Sequence, residues 1–150
     1  LAFNDLTLAG RMDEKNEEVK ALLIEVRSKH DAARAEAEFK RGKDALNADD
    51  EKAAFASFKA AAAIDTHNAE ANYEVARLSV RLQHDLRDAS SHAQRAVEAA
   101  PTHLGYRMLY ARILTQAGMT ALAKKQFEEV LKLDPANAEA KKALKRRWPF

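Results

Sequence analysis

The chain repeats itself with a period of about 34 residues, and this repeat constrains the fold more than any other feature of the sequence. Small residues recur in register at three places in each repeat, at intervals of 34 or 35 residues. The three sets are Gly42, Ala76 and Ala111; Ala54, Ala89 and Ala123; and Ala61, Ala96 and Val130. A unit of this length cannot bury a hydrophobic core by itself, so we expect consecutive units to stack on one another.

Each unit is predicted to contain two helices joined by a short turn. The chain has only four Gly and three Pro, and it lacks the β-branched and aromatic runs that are typical of strands, so we predict an all-α fold. The first helix of each unit, which we name helix A, is predicted at 35–47, 69–82 and 103–117. The second, helix B, is predicted at 51–64, 87–99 and 120–133, with Asp50, Asp88 and Thr120 available to cap these helices or to favour their positive N-terminal ends. The middle unit has one extra residue, which we assign to the turn at 83–88.

The third unit resembles the tetratricopeptide repeat, a family defined by small, large and turn residues at fixed offsets. The matching residues are Tyr110, Ala111, Leu114, Gly118, Ala123, Phe127, Val130, Asp134 and Pro135. The first unit departs from the pattern at Thr66, which replaces the final Pro, and no unit has the pattern's Trp. The resemblance implies a right-handed α-solenoid of three helix-turn-helix hairpins. Its predicted divisions are an N-terminal helical extension at 1–34, repeats at about 35–68, 69–103 and 104–137, a capping helix at 136–147 and a tail at 148–150.

A candidate binding groove follows from the resemblance, because the A helices of tetratricopeptide arrays line a concave face that binds peptides or partner helices. Five residues into each helix A stand Phe39, Tyr73 and Met108, and nine residues in stand Lys43, Arg77 and Arg112. An apolar row beside a basic row suits a ligand that carries apolar anchors and acidic groups. The alternative is that these cations form a solvated face balanced by Glu36, Glu70 and Glu74.

The resemblance also carries a negative expectation about the partner. Family members that bind the acidic C-termini of chaperones use a two-carboxylate clamp of Lys, Asn and Arg side chains. The matching positions here are Phe39, Lys43, Glu74, Gly105 and Leu109. Since four of these five positions hold no cation or amide, the clamp is absent, and we do not expect binding of chaperone tails.

The predicted helix before the first repeat offers a second candidate interaction surface. Between Asp13 and Ala48 the only Gly or Pro is Gly42, so one long helix is expected to run into the first helix A. Its apolar stripe consists of Val19, Leu22, Leu23, Val26 and Ala33. Three alternatives remain for this stripe: packing on the chain's own array, insertion into the groove, or a homodimer contact.

The C-terminal segment combines an apolar face, with Ala140 and Leu144, and a basic face. The cations are Lys141, Lys142, Lys145, Arg146 and Arg147. A capping helix with a polar outer face explains this pattern, since terminal repeats need one. The runner-up is a nucleic-acid interface in which Trp148 stacks on a base, but the formal net charge of +2 makes nucleic acid an unlikely partner for the whole chain.

Catalysis, metal binding and cofactor binding are not expected. The chain has no Cys, and its five His show neither an H-x-x-x-H pair on a helix nor another ligand spacing. No Gly-rich phosphate loop and no nucleophile elbow are present. We therefore predict a non-catalytic adaptor that binds a protein or peptide partner. The lack of Cys, of a signal peptide and of a membrane-spanning run leads us to expect a cytoplasmic protein. Because the sequence begins at Leu1 and not at Met, we expect it to be a piece of a longer chain.

Overall fold

A computed structural model describes residues 17–145, and every structural statement below concerns this part of the chain. It contains seven helices and no strand there, so the predicted all-α fold is confirmed. The helices are α1 (Glu17–Asn47), α2 (Glu51–Ile64), α3 (Ala69–Arg81), α4 (Leu86–Ala99), α5 (Leu104–Gln116), α6 (Thr120–Leu133) and α7 (Ala138–Lys145). The predicted bounds of the second and sixth helices agree fully, and the other helix ends that were predicted inside the repeats differ by one residue at most.

The helices pack as three consecutive hairpins followed by a single helix. The hairpins are α1 with α2, α3 with α4, and α5 with α6, and each hairpin also packs on the next along the chain. Helix α7 packs on α6 and has no following helix in the described residues. This is the solenoid that the repeat predicts, because each hairpin completes its core only by contact with its neighbours.

The three A helices end in the same way, which explains the repeated turn positions. Asp49, Gln83 and Gly118 each adopt a positive φ, of 57°, 58° and 72°. In each case the next amide bonds back to a carbonyl five residues earlier, as in a Schellman motif: to Ala45, Ser79 and Leu114. Only the middle unit has one further residue, His84, before the helix cap at Asp85. The extra residue therefore lies in the turn where it was predicted, and its ring stacks on Phe55 with a centroid distance of 4.7 Å.

The helix caps agree only in part with the sequence. Asp50 caps α2 as expected, since its carboxylate accepts from the amide of Ala53 at 3.0 Å. Asp85 rather than Asp88 caps α4, because the extra turn residue moves the helix start to Leu86. Helix α6 is preceded by Met119 and has no side-chain cap, and Thr120 is already its first helical residue.

The repeated small residues are buried where helices A and B approach each other. The Ala residues of the first two sets have no exposed surface. At Gly42 a Cβ atom would lie 2.7 Å from the ring of Phe58, far inside van der Waals contact. Helix α1 can approach α2 this closely only because position 42 has no side chain.

The second hairpin has a different interior from the other two. Phe58 and Phe127 fill the cores of the first and third hairpins, whereas Ala93 stands at the matching position of the second. The buried polar side chains of the described chain all lie in this hairpin; they are Asn72, Ser79, Ser90 and His92. A polar interior, in which His92 and Asn72 are hydrogen-bonded to each other, thus takes the place of the aromatic ring.

The N-terminal part of α1 projects from the array. None of its residues from 17 to 34 is buried, and α1 has its main contact with α2, in the region that begins at Ala35. Within the apolar stripe Leu22 is 44% exposed, while Val19, Leu23 and Val26 are partly buried. The predicted long helix is confirmed over 17–47, and the remainder of the extension, 1–16, lies outside the described residues.

Candidate binding surface

The A helices and α7 form one side of the array, which we name the A-helix face: α1 from residue 35, then α3, α5 and α7. Side chains connect neighbours along this face. The rings of Tyr73 on α3 and Tyr106 on α5 lie 4.8 Å apart between centroids. Arg112 on α5 pairs with Glu139 on α7. Residues of neighbouring A helices, and of α5 and α7, are therefore brought together across repeats, as a binding face requires.

Two members of the predicted apolar row contribute little to this surface. Phe39 and Met108 are each only 8% exposed and belong to the hydrophobic cores. The ring of Phe39 packs against that of Phe58 at a centroid distance of 5.4 Å. Tyr73 alone of the three keeps a half-buried ring on the A-helix face.

Sequence reasoning missed the neighbours of Tyr73. Tyr106 packs on it from α5, and the ring of His103 stacks on Tyr106 at a centroid distance of 3.7 Å. The Nδ1 atom of His103 also accepts from the amide of Tyr106 at 3.2 Å and so caps α5. The only signal for Tyr106 was an aromatic residue near the start of a helix A, and its contact with Tyr73 depends on how the hairpins stack.

The predicted basic row is present, but two of its three cations are already paired. Arg77 forms an ion pair with Glu74, one helical turn before it, at 2.6 Å. The Nε atom of Arg112 donates to Glu139 at 2.7 Å, and its Nη2 atom donates to the second carboxylate oxygen. This hydrogen-bonded pair raises the pKa of Arg112 and lowers that of Glu139. The alternative of a charge-balanced face therefore applies to Arg77 and Arg112, although the balancing partner of Arg112 is Glu139.

Lys43 differs from the two arginines. Its Nζ atom lies 5.4 Å from the ring centroid of Phe39, in cation–π range, and no carboxylate in the described part of the chain is within ion-pair distance of it. Its side chain is exposed. Lys43 is thus the member of the basic row that can meet a ligand carboxylate without first losing an internal partner.

The acidic side of the same face lies at the start of α3. Burial raises the pKa of Tyr106, and the nearby Glu70, Tyr73 and Glu74 raise it further. Glu70 lies one helical turn before both Tyr73 and Glu74, so the two carboxylates and the Tyr73 ring share one face of α3. Glu70 is exposed, and among residues 17–145 it forms no ion pair.

A second concavity lies at the C-terminal end of the array, between α5, α6 and α7, with a volume of about 1070 Å³. Its lining includes Phe127, Ala143 and the unpaired lysines Lys141, Lys142 and Lys145. The predicted basic face of the capping helix is therefore exposed as far as the described chain extends. Arg146, Arg147 and Trp148, which the nucleic-acid alternative needs, lie outside the described residues.

No group of three His, Asp or Glu side chains in residues 17–145 has the arrangement of a metal site. Over the same residues, no helix combines the length and the apolar character needed to cross a membrane.

Comparison with known proteins agrees with the repeat assignment. Residues 80–147 match the sequence model of the tetratricopeptide repeat, which covers the last residues of α3 and all of α4 to α7. No curated protein sequence matches the chain significantly.

Solved structures with the same fold include tetratricopeptide domains and a longer protein. The first such domain of Spaghetti (RPAP3), solved with the HSP90 peptide SRMEEVD, is 21% identical with a TM-score of 0.64, over 76% of this chain and 90% of that one. The second domain of human RPAP3, in complex with the HSP70 peptide SGPTIEEVD, is 21% identical with a TM-score of 0.63, over 79% and 95%. MamA is 18% identical with a TM-score of 0.66, over 95% and 77%.

At these identities the structural likeness shows the fold, while the sequence match and the repeated small residues identify the repeat itself. Residues 80–147 of this chain belong to the tetratricopeptide repeat family, and the whole described array has the fold of tetratricopeptide domains.

Proposed function

We propose that this chain is a non-catalytic interaction module that binds a peptide or helix of a partner protein on its A-helix face. The observation that carries the proposal is the contact between Tyr73 and Tyr106, which places a half-buried aromatic pair across two repeats on that face. Aromatic side chains of this kind are common anchors of protein interfaces, because they bury a large area with little loss of conformational entropy.

Structures with the same fold support a peptide ligand, since the two RPAP3 domains were solved with peptides from HSP90 and HSP70. The same partner is not proposed here. The carboxylate-clamp positions hold Phe39, which is buried, and Gly105 and Leu109, which offer no charge. A C-terminal Glu-Glu-Val-Asp segment would find only Lys43 among the expected cations and amides.

An acidic group of the ligand is proposed to contact Lys43. A ligand carboxylate would have to replace Glu74 at Arg77, or Glu139 at Arg112. Replacing one carboxylate by another gains little binding free energy. The six residues Phe39, Lys43, Tyr73, Arg77, Met108 and Arg112 therefore have unequal proposed roles. Tyr73 and Lys43 contact the ligand, the two arginines border it, and Phe39 and Met108 support the surface from below.

The test is selection of binders from a displayed library of random peptides, followed by affinity measurement with two variants. Replacing both Tyr73 and Tyr106 by Ala is expected to abolish binding. Phe55→Ala is a matched control, because this half-buried ring lies on helix B of the first hairpin and stacks on His84 in the turn between α3 and α4. Circular dichroism confirms that both variants remain helical. Equal affinity of the selected peptides for the tyrosine variant and the wild type would contradict the proposal.

The nucleic-acid alternative keeps one supporting observation, the three unpaired lysines of α7. It predicts RNA or DNA binding that weakens steeply with salt, because phosphate contacts release counterions. Absence of binding at low salt would exclude it.

A homodimer through Val19, Leu22, Leu23 and Val26 stays a proposal for the projecting helix. Sedimentation of the chain with and without residues 1–30 tests it, and a monomer in both cases rejects it. A cytoplasmic location is likewise proposed, on the absence of Cys from the sequence.

A further inference from the structure

The aromatic pair on the A-helix face has an asymmetric electrostatic environment. Its acidic side holds Glu70 and Glu74 at the start of α3, where Glu70 stands one helical turn before both Tyr73 and Glu74 on the same face of the helix. Only Glu74 has a cation beside it, since Arg77 is its ion-pair partner. The carboxylate of Glu70 is exposed and has no cationic partner in the described chain.

The stacking of the rings defines which of them can accept a ligand. Tyr106 contacts the rings of both His103 and Tyr73, at centroid distances of 3.7 and 4.8 Å, whereas Tyr73 contacts only Tyr106 among the rings of residues 17–145. Tyr73 stands at the end of this row of three rings and remains partly exposed. The end of the row, beside an unpaired carboxylate, is the position at which a ligand group gains both a ring contact and a charge contact.

We propose that Tyr73, Tyr106 and Glu70 bind a basic side chain of the partner, with arginine favoured over lysine. This inference rests on the proposed function and specifies one residue of its ligand. The planar guanidinium group stacks on tyrosine while it donates hydrogen bonds to a carboxylate, and it loses less hydration than an ammonium group. An acidic side chain would be repelled by Glu70 and Glu74, and an apolar one would desolvate Glu70 without giving it a partner.

The experiment titrates the full chain with N-acetyl-arginine amide and, in parallel, with N-acetyl-citrulline amide, which has nearly the same shape but no charge. Binding is followed by the NMR signals of the Tyr73 and Tyr106 rings. The arginine probe is expected to shift both rings in a saturable way, and the citrulline probe is expected to bind several-fold more weakly. Equal responses to the two probes would overturn the inference.

Two variants locate the charge that is responsible. Glu70→Gln keeps the size of the side chain and is expected to weaken binding of the arginine probe about two- to fivefold, as for an exposed cation site. Glu128→Gln is the matched control, since Glu128 is an exposed glutamate on helix B of the third hairpin without an ion pair in the described chain. If both variants bind the probe as the wild type does, Glu70 is not the counter-ion and the inference fails.

The same variants separate this inference from the proposed function. If the selected peptides need both tyrosines but contain no excess of basic residues and bind Glu70→Gln normally, the interaction module stands and the basic anchor is wrong. If no selected peptide depends on the tyrosines while the arginine probe binds in a Glu70-dependent way, the cation site stands and the proposed function is wrong.

Discussion

The Nδ1 atom of His92 lies 2.8 Å from the Oδ1 atom of Asn72, and this hydrogen bond joins α4 to α3 inside the second hairpin. The amide nitrogen of Asn72 donates to the carbonyls of Thr66 and Asn68, so its Oδ1 atom must accept, and Nδ1 of His92 must carry the proton. The other ring nitrogen faces Asp88 at 3.9 Å. A neutral His92 therefore connects the turn before α3 to helix B.

This arrangement predicts that the stability of the protein falls in mildly acidic solution. Burial lowers the pKa of His92 below its ordinary value of 6.5; Arg95 and Lys59 lower it further, while Asp88 opposes them. The unfolded chain then binds the proton more readily than the folded one. The contribution of His92 is complete above pH 6.5 and is lost as the pH decreases below that value, by at most about 1.4 kcal/mol per pH unit.

Urea unfolding at pH 7.5 and 5.5, followed by circular dichroism, measures this loss. His92→Gln retains a donor for Asn72 but does not titrate, so its stability is expected to change less between the two pH values. His67→Gln is the control, because His67 is exposed and should leave the pH dependence unchanged. An equal loss in His92→Gln and in the wild type would show that other groups cause it.

The aromatic side chains in the cores of the first and third hairpins are expected to contribute strongly to the free energy of unfolding. Phe127 is almost fully buried, and Phe127→Ala is expected to lower the free energy of unfolding by about 3–5 kcal/mol, because the cavity it leaves is lined by packed helices. The exposed neighbour Leu122 gives the comparison, and Leu122→Ala should change stability by less than about 0.5 kcal/mol. Similar losses in both variants would contradict the assignment of Phe127 to the core.

A second stability prediction concerns the close approach of Gly42 and Phe58. Ala is the better helix former by about 1 kcal/mol, yet Gly42→Ala is expected to destabilise the protein, because its Cβ would overlap the Phe58 ring at a cost of about 1–3 kcal/mol. A double-mutant cycle with Phe58→Leu tests this cause. The cost of Gly42→Ala should decrease when the ring is gone, and an unchanged cost would place the strain elsewhere.

The sequence predicted the interior of this fold well because period and packing are linked. Small residues recur at the positions of Gly42, Ala54 and Ala61 because every hairpin must meet its neighbours in the same way. Even the extra residue of the middle unit was assigned to its turn. The cap of α4 was not found, because the extra turn residue makes Asp85 rather than Asp88 the cap, and Thr120 is the first helical residue of α6 rather than its cap.

The surface was less predictable, since its contacts depend on how the repeats stack. Phe39 and Tyr73 hold the same position in their A helices, so the sequence predicted the same role for both. The ring of Phe39 instead packs on Phe58 in the core, whereas the ring of Tyr73 contacts Tyr106. Arg112 and Glu139 are 27 residues apart, and no helical spacing links them. The two arginines of the predicted basic row are therefore paired with carboxylates. Glu70 was expected only to balance the charge of that row, but it forms no ion pair in the described residues.

The ion pair between Arg112 and Glu139 yields a last prediction, on the attachment of α7. Arg112→Glu would place two carboxylates together and is expected to weaken the docking of α7 by up to about 1 kcal/mol, because both side chains are about half exposed. Faster amide hydrogen exchange in residues 138–145 would report the change. Adding Glu139→Arg should restore slow exchange, whereas Lys132→Glu, which breaks a pair within α6, should leave it unchanged. Normal exchange in Arg112→Glu would mean that packing of Ala140 alone holds the capping helix, and that charge reversal at Arg112 affects only the binding face.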